Sequence, residues 1–279
     1  MNQLRLDTAI KCGWIECWYQ PKIDLRRRQL RGVEAFARVR HPQLGVLSAA
    51  EVLITASADE ATALSENALI SVLRTSDKLR ELGMNDLSFA INFDLVTLSR
   101  FPVAGTVRQH CGLAANPNLI FDITEKQVMR NIPIIHQLET ELKRNGFRLA
   151  IDDFGSAFLA ARETDAALDR TFSVLSSKLK LLTDGRFGEM KLAPSIVHDL
   201  NASDRKRQIC GNLISLAHSM GSTAVAIGIE KKEELDILKE MKCDIGQGIL
   251  LGGPMPEEVL IASVQRRAVK RAKSRRVAA

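Results

Sequence analysis

Short apolar segments alternate with longer segments of helical periodicity along most of the chain. Eight of the apolar segments have the length and the composition that are typical of buried β-strands. They are IECWYQPKIDL, GVEAFARV, LSFAINF, NLIFDIT, RLAIDDF, EMKLA, STAVAIGI and DIGQGILL. The pattern therefore predicts eight strands separated by amphipathic helices.

The order of these elements indicates the fold class. One predicted helix runs between Pro133 and Gly146, residues that are typical of a helix start and a helix stop. Strands that alternate with helices favour an α/β protein with a largely parallel sheet covered by helices. Eight such strands in about 250 residues match the size of a closed (β/α)8 barrel of the TIM type. An open doubly wound sheet is the alternative, although no glycine-rich phosphate loop follows the first strand.

Polar side chains stand at the ends of six of the eight predicted strands. Because the carboxyl ends of the strands of a β/α barrel converge on one face, we expect these side chains to form a site there. They are Glu34, Asn92, Asp122 with Glu125, Asp152 with Asp153, Lys191 and Gln247. Their carboxylate and amide oxygens are ligands that hard divalent cations prefer. As an alternative, the two adjacent Asp residues serve loop geometry alone, and the Lys is a solvated charge at a strand end.

Composition is that of an ordinary globular protein, with 46% hydrophobic residues and a formal net charge of +6. No apolar run reaches the roughly 20 residues that a membrane span needs, and no signal peptide begins the chain. We therefore expect a cytoplasmic protein without a membrane segment. The five cysteines lack the spacing of zinc ligands, so reduced thiols are expected.

The C-terminal segment 263–279 carries several Lys and Arg residues but no Asp or Glu. Such a run could contact the phosphates of a nucleic acid. It contains no aromatic residue for base stacking. Direct binding of nucleic acid is therefore not expected, and a solvated helix end is the preferred interpretation.

Seven short motifs occur in order and together resemble the EAL domain family. They are YQPKIDL…GVEAFARVRHP, INFD, FDITE, IDDFG, MKL, AIGIE and QG. Members of that family are modified TIM-type (β/α)8 barrels that hydrolyse cyclic di-GMP with two Mg²⁺ or Mn²⁺ ions. The resemblance implies three parts of the chain: an N-terminal lead of residues 1–13, an EAL-like barrel of residues 14–262 and a basic tail of residues 263–279.

The resemblance also implies a role for each matching residue. The residues implied to hold metal ions are Glu34, Asn92, Asp122, Asp152 and Asp153. Those implied to support catalysis are Lys191, near the attacking water, Glu125, which would brace the loop after the IDDFG strand, and Gln247. Those implied to bind the ligand are Gln20 and Arg38, the latter through phosphate.

Several departures from the family pattern fall on the chemistry. A metal-binding Glu of the family is replaced by Asp122, whose carboxylate reaches one methylene less far. An Asp two positions after the family lysine is replaced by Ala193. An essential active-site Glu is replaced by Ile227, which neither accepts a proton nor binds a metal ion. The site is therefore predicted to be vestigial.

The loop after the IDDFG strand is rebuilt by an insertion. Gly155 and Lys191 are 36 positions apart, which exceeds the family spacing by about one helix and a turn. The segment 156–190 mixes apolar and basic residues. It could plug the site, but we favour a docking surface for a protein, because interface hot spots combine apolar anchors with Arg.

Together these features predict a degenerate, catalytically inactive EAL-type regulator that needs no cofactor. It would act through a regulatory protein partner on gene expression of the motility or virulence type, by analogy with other degenerate members of the family. One alternative is an active cyclic di-GMP phosphodiesterase that depends on Mg²⁺ or Mn²⁺. A second alternative is a non-catalytic receptor that binds cyclic di-GMP weakly. A homodimer is compatible with each of them.

Overall fold

A computed structural model describes residues 6–53, 56–111, 117–156, 173, 176–177 and 187–266 of the 279-residue chain. Its strands are β1 (Ile15–Asp24), β2 (Gln29–His41), β3 (Gly45–Ser48), β4 (Ser88–Asn92), β5 (Asn118–Thr124), β6 (Arg148–Phe154), β7 (Phe187–Leu192), β8 (Thr223–Ile227), β9 (Ile245–Gln247) and β10 (Met255–Pro256). Its helices are α1 (Leu6–Lys11), α2 (Ala49–Leu53), α3 (Ala58–Glu81), α4 (Leu95–Arg100), α5 (Val103–Cys111), α6 (Glu125–Arg130), α7 (Ile132–Arg144), α8 (Pro194–Val197), α9 (Asp204–Ser219), α10 (Lys232–Glu240) and α11 (257–266), with a 3-10 turn at Leu200–Ala202.

Eight of the strands close into a barrel. The strands β2, β4, β5, β6, β7, β8 and β9 are hydrogen-bonded in that order and run parallel. Strand β1 closes the ring by pairing with both β2 and β9, and it is antiparallel to each. The predicted closed barrel is confirmed, and the open doubly wound sheet is wrong. Because all eight barrel strands carry a predicted apolar segment, the periodicity of the sequence located the whole ring.

The reversed direction of β1 follows from its connection to β2. The turn between them spans residues 25–28 and ends at Arg28, which has a left-handed φ of 55°. So short a connection joins antiparallel strands, whereas a parallel pair needs a crossover. The two strands not predicted, β3 and β10, extend this hairpin at its sides, where β3 pairs with β2 and β10 pairs with β1.

Helices cover the outer face of the barrel and enclose the main apolar core. Helix α3 shows how the sequence fixes their ends, because the Ser57 side chain accepts from the backbone N–H of Glu60 while the Glu60 carboxylate accepts from the N–H of Ser57. Such a capping box satisfies two N–H groups that the helix leaves unpaired. Behind the cap, Leu69, Val72 and Leu73 are buried against the sheet.

A small apolar layer crosses the interior of the barrel. It consists of Ala90, Ile120 and Ala150, all fully buried and separate from the main core. Successive side chains of a strand point to opposite faces. On β4 the interior neighbours of Ala90 are therefore Ser88 at the start of the strand and Asn92 at its end. We call the two ends of the barrel the N-terminal mouth, where the parallel strands begin, and the C-terminal mouth, where they end.

A buried salt bridge also lies inside the barrel. Lys22 of β1 donates to Glu189 of β7, and both side chains are almost completely shielded from solvent. Removing two charges from water is costly, so each depends on the other for compensation. The sequence shows the lysine in the middle of a buried strand but does not reveal its partner, 167 positions away.

Part of the predicted N-terminal lead belongs to the fold, because Leu6 and Ala9 of α1 pack with Val39, Val52 and Leu64. Most of the segment 156–190 and the end of the basic tail, 267–279, lie outside the described residues, and so does the docking surface predicted there. None of the helices in the described part is long and apolar enough to cross a membrane.

The buried salt bridge predicts a large loss of stability when one partner is removed. Lys22→Met leaves the Glu189 charge unpaired inside the barrel and should lower the free energy of unfolding by about 3–5 kcal/mol in urea denaturation. Lys22→Met/Glu189→Leu removes both charges and should recover most of that loss.

The control for this experiment is Lys78→Met. The Lys78 ammonium lies 2.7 Å from Glu257 Oε2, but about half of its side chain is exposed. Because exposed pairs contribute little, this variant should lose less than about 1 kcal/mol. Equal losses in Lys22→Met and Lys78→Met would contradict the argument.

Candidate active site

The ammonium group of Lys191 lies among three carboxylates near the C-terminal mouth. Its Nζ is 2.7 Å from Asp122 Oδ2, 2.9 Å from Glu34 Oε2 and 3.3 Å from Asp152 Oδ1. The exposed fraction of the Lys191 side chain is 0%. The alternative that this lysine is a solvated charge is therefore wrong. We call these four residues the Lys191 cluster.

Strand geometry brings the Lys191 cluster together from four different strands. Met190 and Leu192 flank Lys191 on β7 and are buried in the core between the barrel and the helices. Since side chains alternate along a strand, Lys191 points into the barrel. Asp122 lies opposite Asn92 in the register of β5 with β4, so the polar ends of neighbouring strands stand side by side.

The Glu34 carboxylate is fully hydrogen-bonded. Its Oε1 accepts from Asn92 Nδ2 at 2.8 Å, and its Oε2 accepts from Gln247 Nε2 at 2.8 Å and contacts the Lys191 ammonium. Gln247 Nε2 also donates to Gln20 Oε1 at 2.9 Å. These contacts place residues from β1, β2, β4, β7 and β9 in one network.

Two buried oxygens of the site have no hydrogen-bond partner within the described residues. They are Asp122 Oδ1 and Gln247 Oε1. A buried acceptor without a partner is costly, because it has lost the water that it binds in the unfolded chain. The Asp122 carboxyl is thus held by Lys191 at one oxygen and left open at the other.

Burial and neighbouring charges shift the pKa values of the cluster in different directions. Burial raises the pKa of Asp122 to about 8, although the Lys191 ammonium opposes this. Burial also disfavours ionisation of Glu34, but Lys191 and the donors Gln247 and Asn92 outweigh it and lower its pKa. Burial works against the charge of Lys191 itself, but the surrounding carboxylates raise its pKa well above the usual value. Glu34 is therefore the group that stays ionised at neutral pH, while burial favours the protonated form of Asp122.

Asp152 and Asp153 are adjacent but face different surroundings. Asp152 is half-buried toward the Lys191 cluster, whereas Asp153 is exposed and has a left-handed φ of 56°. The turn that follows requires glycine at position 155 for two reasons. Gly155 has a left-handed φ of 87°, and a Cβ atom added to it would collide with the Leu213 side chain. The Gly155 N–H donates to Glu125 Oε2 at 2.8 Å, and burial raises the pKa of Glu125.

The two residues implied to bind a ligand lie at different depths. Gln20 is buried opposite Glu34 in the register of β1 with β2 and donates to the Gly252 carbonyl at 3.2 Å. Arg38 lies further along β2, beyond the ladder with β4, and is half-buried. Its guanidinium carbon is 5.8 Å from the centre of the Phe36 ring.

The two replaced positions contribute no polar side chain to the C-terminal mouth. Ile227 is half-buried at the end of β8, opposite Gln247, and shares a strand face with Val225, the register partner of Lys191. Ala193 is fully buried, and its backbone N–H donates to the Phe154 carbonyl at 3.1 Å.

These donors do not form a ready metal centre. Their carboxylate and amide oxygens are of the right type for Mg²⁺ or Mn²⁺. Across the described residues, however, no group of three or more His, Cys, Asp and Glu side chains is arranged to hold a metal ion. The Lys191 ammonium contacts all three converging carboxylates, and Ile227 adds no oxygen beside them. The arrangement therefore does not fit a pair of metal ions.

Lys22 is the interior residue that the sequence analysis did not single out. Its charge acts on the Lys191 cluster, where it favours the ionised form of Asp122. The sequence did contain a signal for its position. Lys22 follows Gln20 by two positions on a buried strand, and residues two apart share a strand face, so both are expected to point into the barrel.

Comparison with known proteins assigns the chain to a family. The family model described as the EAL domain matches residues 3–168 and 165–254, which is most of the chain. The two matched stretches meet inside the segment 156–190, between β6 and β7. This protein belongs to the EAL domain family.

Three relatives from Pseudomonas aeruginosa show how far the likeness extends. The chain is 29% identical to the cyclic di-GMP phosphodiesterase NbdA over 90% of its own length and 30% of that protein. It is 28% identical to the cyclic di-GMP phosphodiesterase RocR over 88% of its length and 59% of that protein. A solved structure of the MucR phosphodiesterase in complex with c-di-GMP has a TM-score of 0.76 and 25% identity, with 91% of this chain and 97% of that chain covered. The chain thus spans only part of its full-length relatives.

The proton held by Asp122 predicts a pH dependence of stability in the metal-free protein. In the unfolded chain an Asp ionises near pH 3.9, whereas folded Asp122 ionises near pH 8. Between these values the folded state binds more protons than the unfolded state, so stability falls as pH rises, by at most about 1.4 kcal/mol per pH unit. Asp122→Asn removes this titration and should gain stability relative to the wild type from pH 5 to pH 8, in urea unfolding with EDTA present.

The control for the pH series is Asp59→Asn, which removes an exposed carboxylate in the first turn of α3. The difference in the free energy of unfolding between this variant and the wild type should stay constant from pH 5 to pH 8. If Asp122→Asn also kept a constant difference from the wild type between pH 5 and pH 8, the assignment of the proton to Asp122 would be wrong.

Proposed function

We propose that this EAL domain is a non-hydrolysing regulator that acts by binding rather than by turnover. The observation that carries the proposal is the combination of Lys191 and Ile227. The ammonium of Lys191 contacts every converging carboxylate, and Ile227 presents an apolar side chain beside them.

The chemistry of phosphodiester hydrolysis explains why these two features matter. A pair of divalent ions activates water and neutralises the phosphate, and each ion needs several oxygen ligands. An isoleucine at the rim supplies no ligand and no base. The shortened side chain of Asp122 also accepts a hydrogen bond from Lys191, and burial raises its pKa to about 8, which disfavours the ionised form that a metal ion needs.

A domain without turnover can still regulate by contact with another protein. The inserted segment 156–190 supports this mode of action, since it mixes apolar residues with Arg and follows the strand that carries Asp152. Regulation of motility or virulence genes is the form that this proposal takes by analogy with degenerate members of the family.

An active cyclic di-GMP phosphodiesterase is the second candidate. It is favoured by the unpaired oxygens Asp122 Oδ1 and Gln247 Oε1, which could accept a cation. NbdA and RocR, which are named as cyclic di-GMP phosphodiesterases, are similar to this chain along most of its length. In that case Mg²⁺ or Mn²⁺ would be required, and Glu34, Asn92, Asp122 and Asp152 would be the candidate ligands.

Turnover with Mn²⁺ separates the two candidates. Loss of a catalytic carboxylate typically costs a factor of 100 or more. We therefore expect the purified protein to form linear dinucleotide from cyclic di-GMP far more slowly than about 1 s⁻¹, the low end of typical enzyme rates, as measured by chromatography. Ile227→Glu alone should not restore the rate, because Ala193 and the segment 156–190 are unchanged.

Glu34→Ala is the control for contaminating activity. If the wild type turns over at about 1 s⁻¹ or faster and Glu34→Ala does not, the protein is an active phosphodiesterase and the proposal of a non-hydrolysing regulator is wrong.

Binding of cyclic di-GMP tests the receptor alternative in the same preparation. Without metal ions, affinity must come from Gln20, Arg38 and other contacts near the mouth, so we expect a dissociation constant weaker than about 1 µM by calorimetry. Arg38→Ala should weaken the remaining binding about tenfold, because a phosphate contact from Arg is charge-assisted.

Arg40→Ala is the matched control for this measurement, since the Arg40 guanidinium is already held by Glu16 at 2.7 Å. It should leave the affinity unchanged. A submicromolar site that is lost in Arg38→Ala and kept in Arg40→Ala would assign the protein to the receptors instead.

A further inference from the structure

A cavity of about 330 Å³ opens at the N-terminal mouth of the barrel, at the opposite end from the Lys191 cluster. Ser88 and Arg148, the first residues of β4 and β6, line it together with Arg27 and Arg31 from the β1–β2 hairpin. A volume of this size accommodates a small ligand.

The arginines of this cavity have no acidic partner. Arg27, Arg31 and Arg148 form no salt bridge with any side chain that the structure describes. The guanidinium groups at this mouth are therefore not paired with a carboxylate among the described residues. Arginine guanidinium groups match phosphate and carboxylate oxygens through paired N–H donors.

The carboxylates near these arginines are already engaged. Glu189 is held by the buried Lys22 ammonium. Asp244 Oδ2 accepts from the Ala224 N–H at 2.9 Å and lies 2.8 Å from His218 Nε2. A third carboxylate, that of Asp24, accepts at 2.6 Å from the backbone N–H of Arg27 rather than from its guanidinium.

The side chain of Arg148 is held in place before any ligand arrives. It is half-buried, and its Nη2 donates to Asn118 Oδ1 at 2.6 Å. Its alkyl part packs on Gly188, where an added Cβ would lie 3.0 Å from Arg148 Cδ. A guanidinium group carries five N–H donors, and only this one has a partner among the described residues.

A buried hydroxyl lies beside the same cavity. Ser88 is one of the residues that line it, and its side chain is 4% exposed. Its Oγ packs against Gly32 and has no hydrogen-bond partner in the part of the chain described. A buried hydroxyl is normally paired, so this end of the barrel has an unsatisfied polar group beside the arginines.

The positive charge continues beyond the cavity. A neighbouring hollow shares Asp24, Arg27, His218 and Asp244 with it and is also lined by Arg26, Arg28 and Lys242. These three cations are exposed, and each lacks a salt bridge to the described residues. No Phe, Tyr or Trp side chain lines either hollow, so stacking of nucleic-acid bases on such rings is not supported there.

We propose that the N-terminal mouth binds a phosphoryl group, carried by a free phosphorylated molecule or by a lipid headgroup. Arg27, Arg31 and Arg148 contact its oxygens. A phosphoryl dianion supplies more acceptor oxygens than a carboxylate, which suits three converging guanidinium groups. This site is independent of the Lys191 cluster and of the proposed regulatory role.

The experiment titrates the full chain with inorganic pyrophosphate by calorimetry, at about 0.15 M salt so that diffuse surface charge is screened. We expect saturable binding that Arg27→Gln/Arg31→Gln weakens at least tenfold. Arg74→Gln/Arg130→Gln removes the same charge from exposed helix positions away from the cavity and should bind as the wild type does. If the first double variant does not fold, Arg27→Gln alone, in an exposed turn, replaces it.

A second arm identifies the carrier of the phosphoryl group. Vesicles of phosphatidic acid, whose headgroup is a phosphate monoester, are sedimented with the protein, with phosphatidylcholine vesicles for comparison. Binding of pyrophosphate alone assigns the site to a free phosphorylated molecule, and vesicle binding that is lost in Arg27→Gln/Arg31→Gln assigns it to a headgroup. Absence of both kinds of binding, or equal binding by the wild type and Arg27→Gln/Arg31→Gln, overturns the proposal.

Discussion

The buried ammonium of Lys191 is the interaction on which the C-terminal mouth depends. Three carboxylates from three strands converge inside a barrel that excludes water, and like charges at such distances cannot all remain ionised. One lysine contacts all three, and the remaining excess is relieved by a proton on Asp122. The strands bring Glu34 and Asp152 to this mouth, and the charge contributed by β7 allows their carboxylates to lie close together there.

This arrangement also governs what the site can do. Three carboxylates this close together need a cation among them. The Lys191 side chain is that cation, so no bound ion is required to balance their charge. A metal ion entering the cluster would have to displace the proton of Asp122 and compete with an ammonium that is already desolvated. At the end of β8, beside Gln247, Ile227 supplies no carboxylate to favour the metal ion in that competition. The retained family residues are thus compatible with the proposed regulator, because the same carboxylates hold the Lys191 ammonium.

The sequence predicted the barrel because local patterns determine it. Apolar segments mark all eight of its strands, and the polar residues at their ends converge as expected, with Asp122 beside Asn92 and Gln247 bound to Glu34. Contacts between residues far apart in the chain could not be predicted from local patterns. Neither the full burial of Lys191 nor its bond to Asp122, 69 positions away, leaves a trace in local composition. The two-residue strand β10 is likewise too short for any periodicity to register.

The two mouths of the barrel carry different sets of charged side chains, with a small apolar layer between them. Ala90, Ile120 and Ala150 form that layer, and they share the barrel interior with the buried pair of Lys22 and Glu189. Three carboxylates surround Lys191 at the C-terminal mouth, while Arg27, Arg31 and Arg148 line the cavity at the N-terminal mouth. Sites that share no partner residues respond almost independently to substitution. Among the described residues, the buried pair of Lys22 and Glu189 is adjacent to both sites, because that glutamate lines the N-terminal cavity while the lysine acts on Asp122.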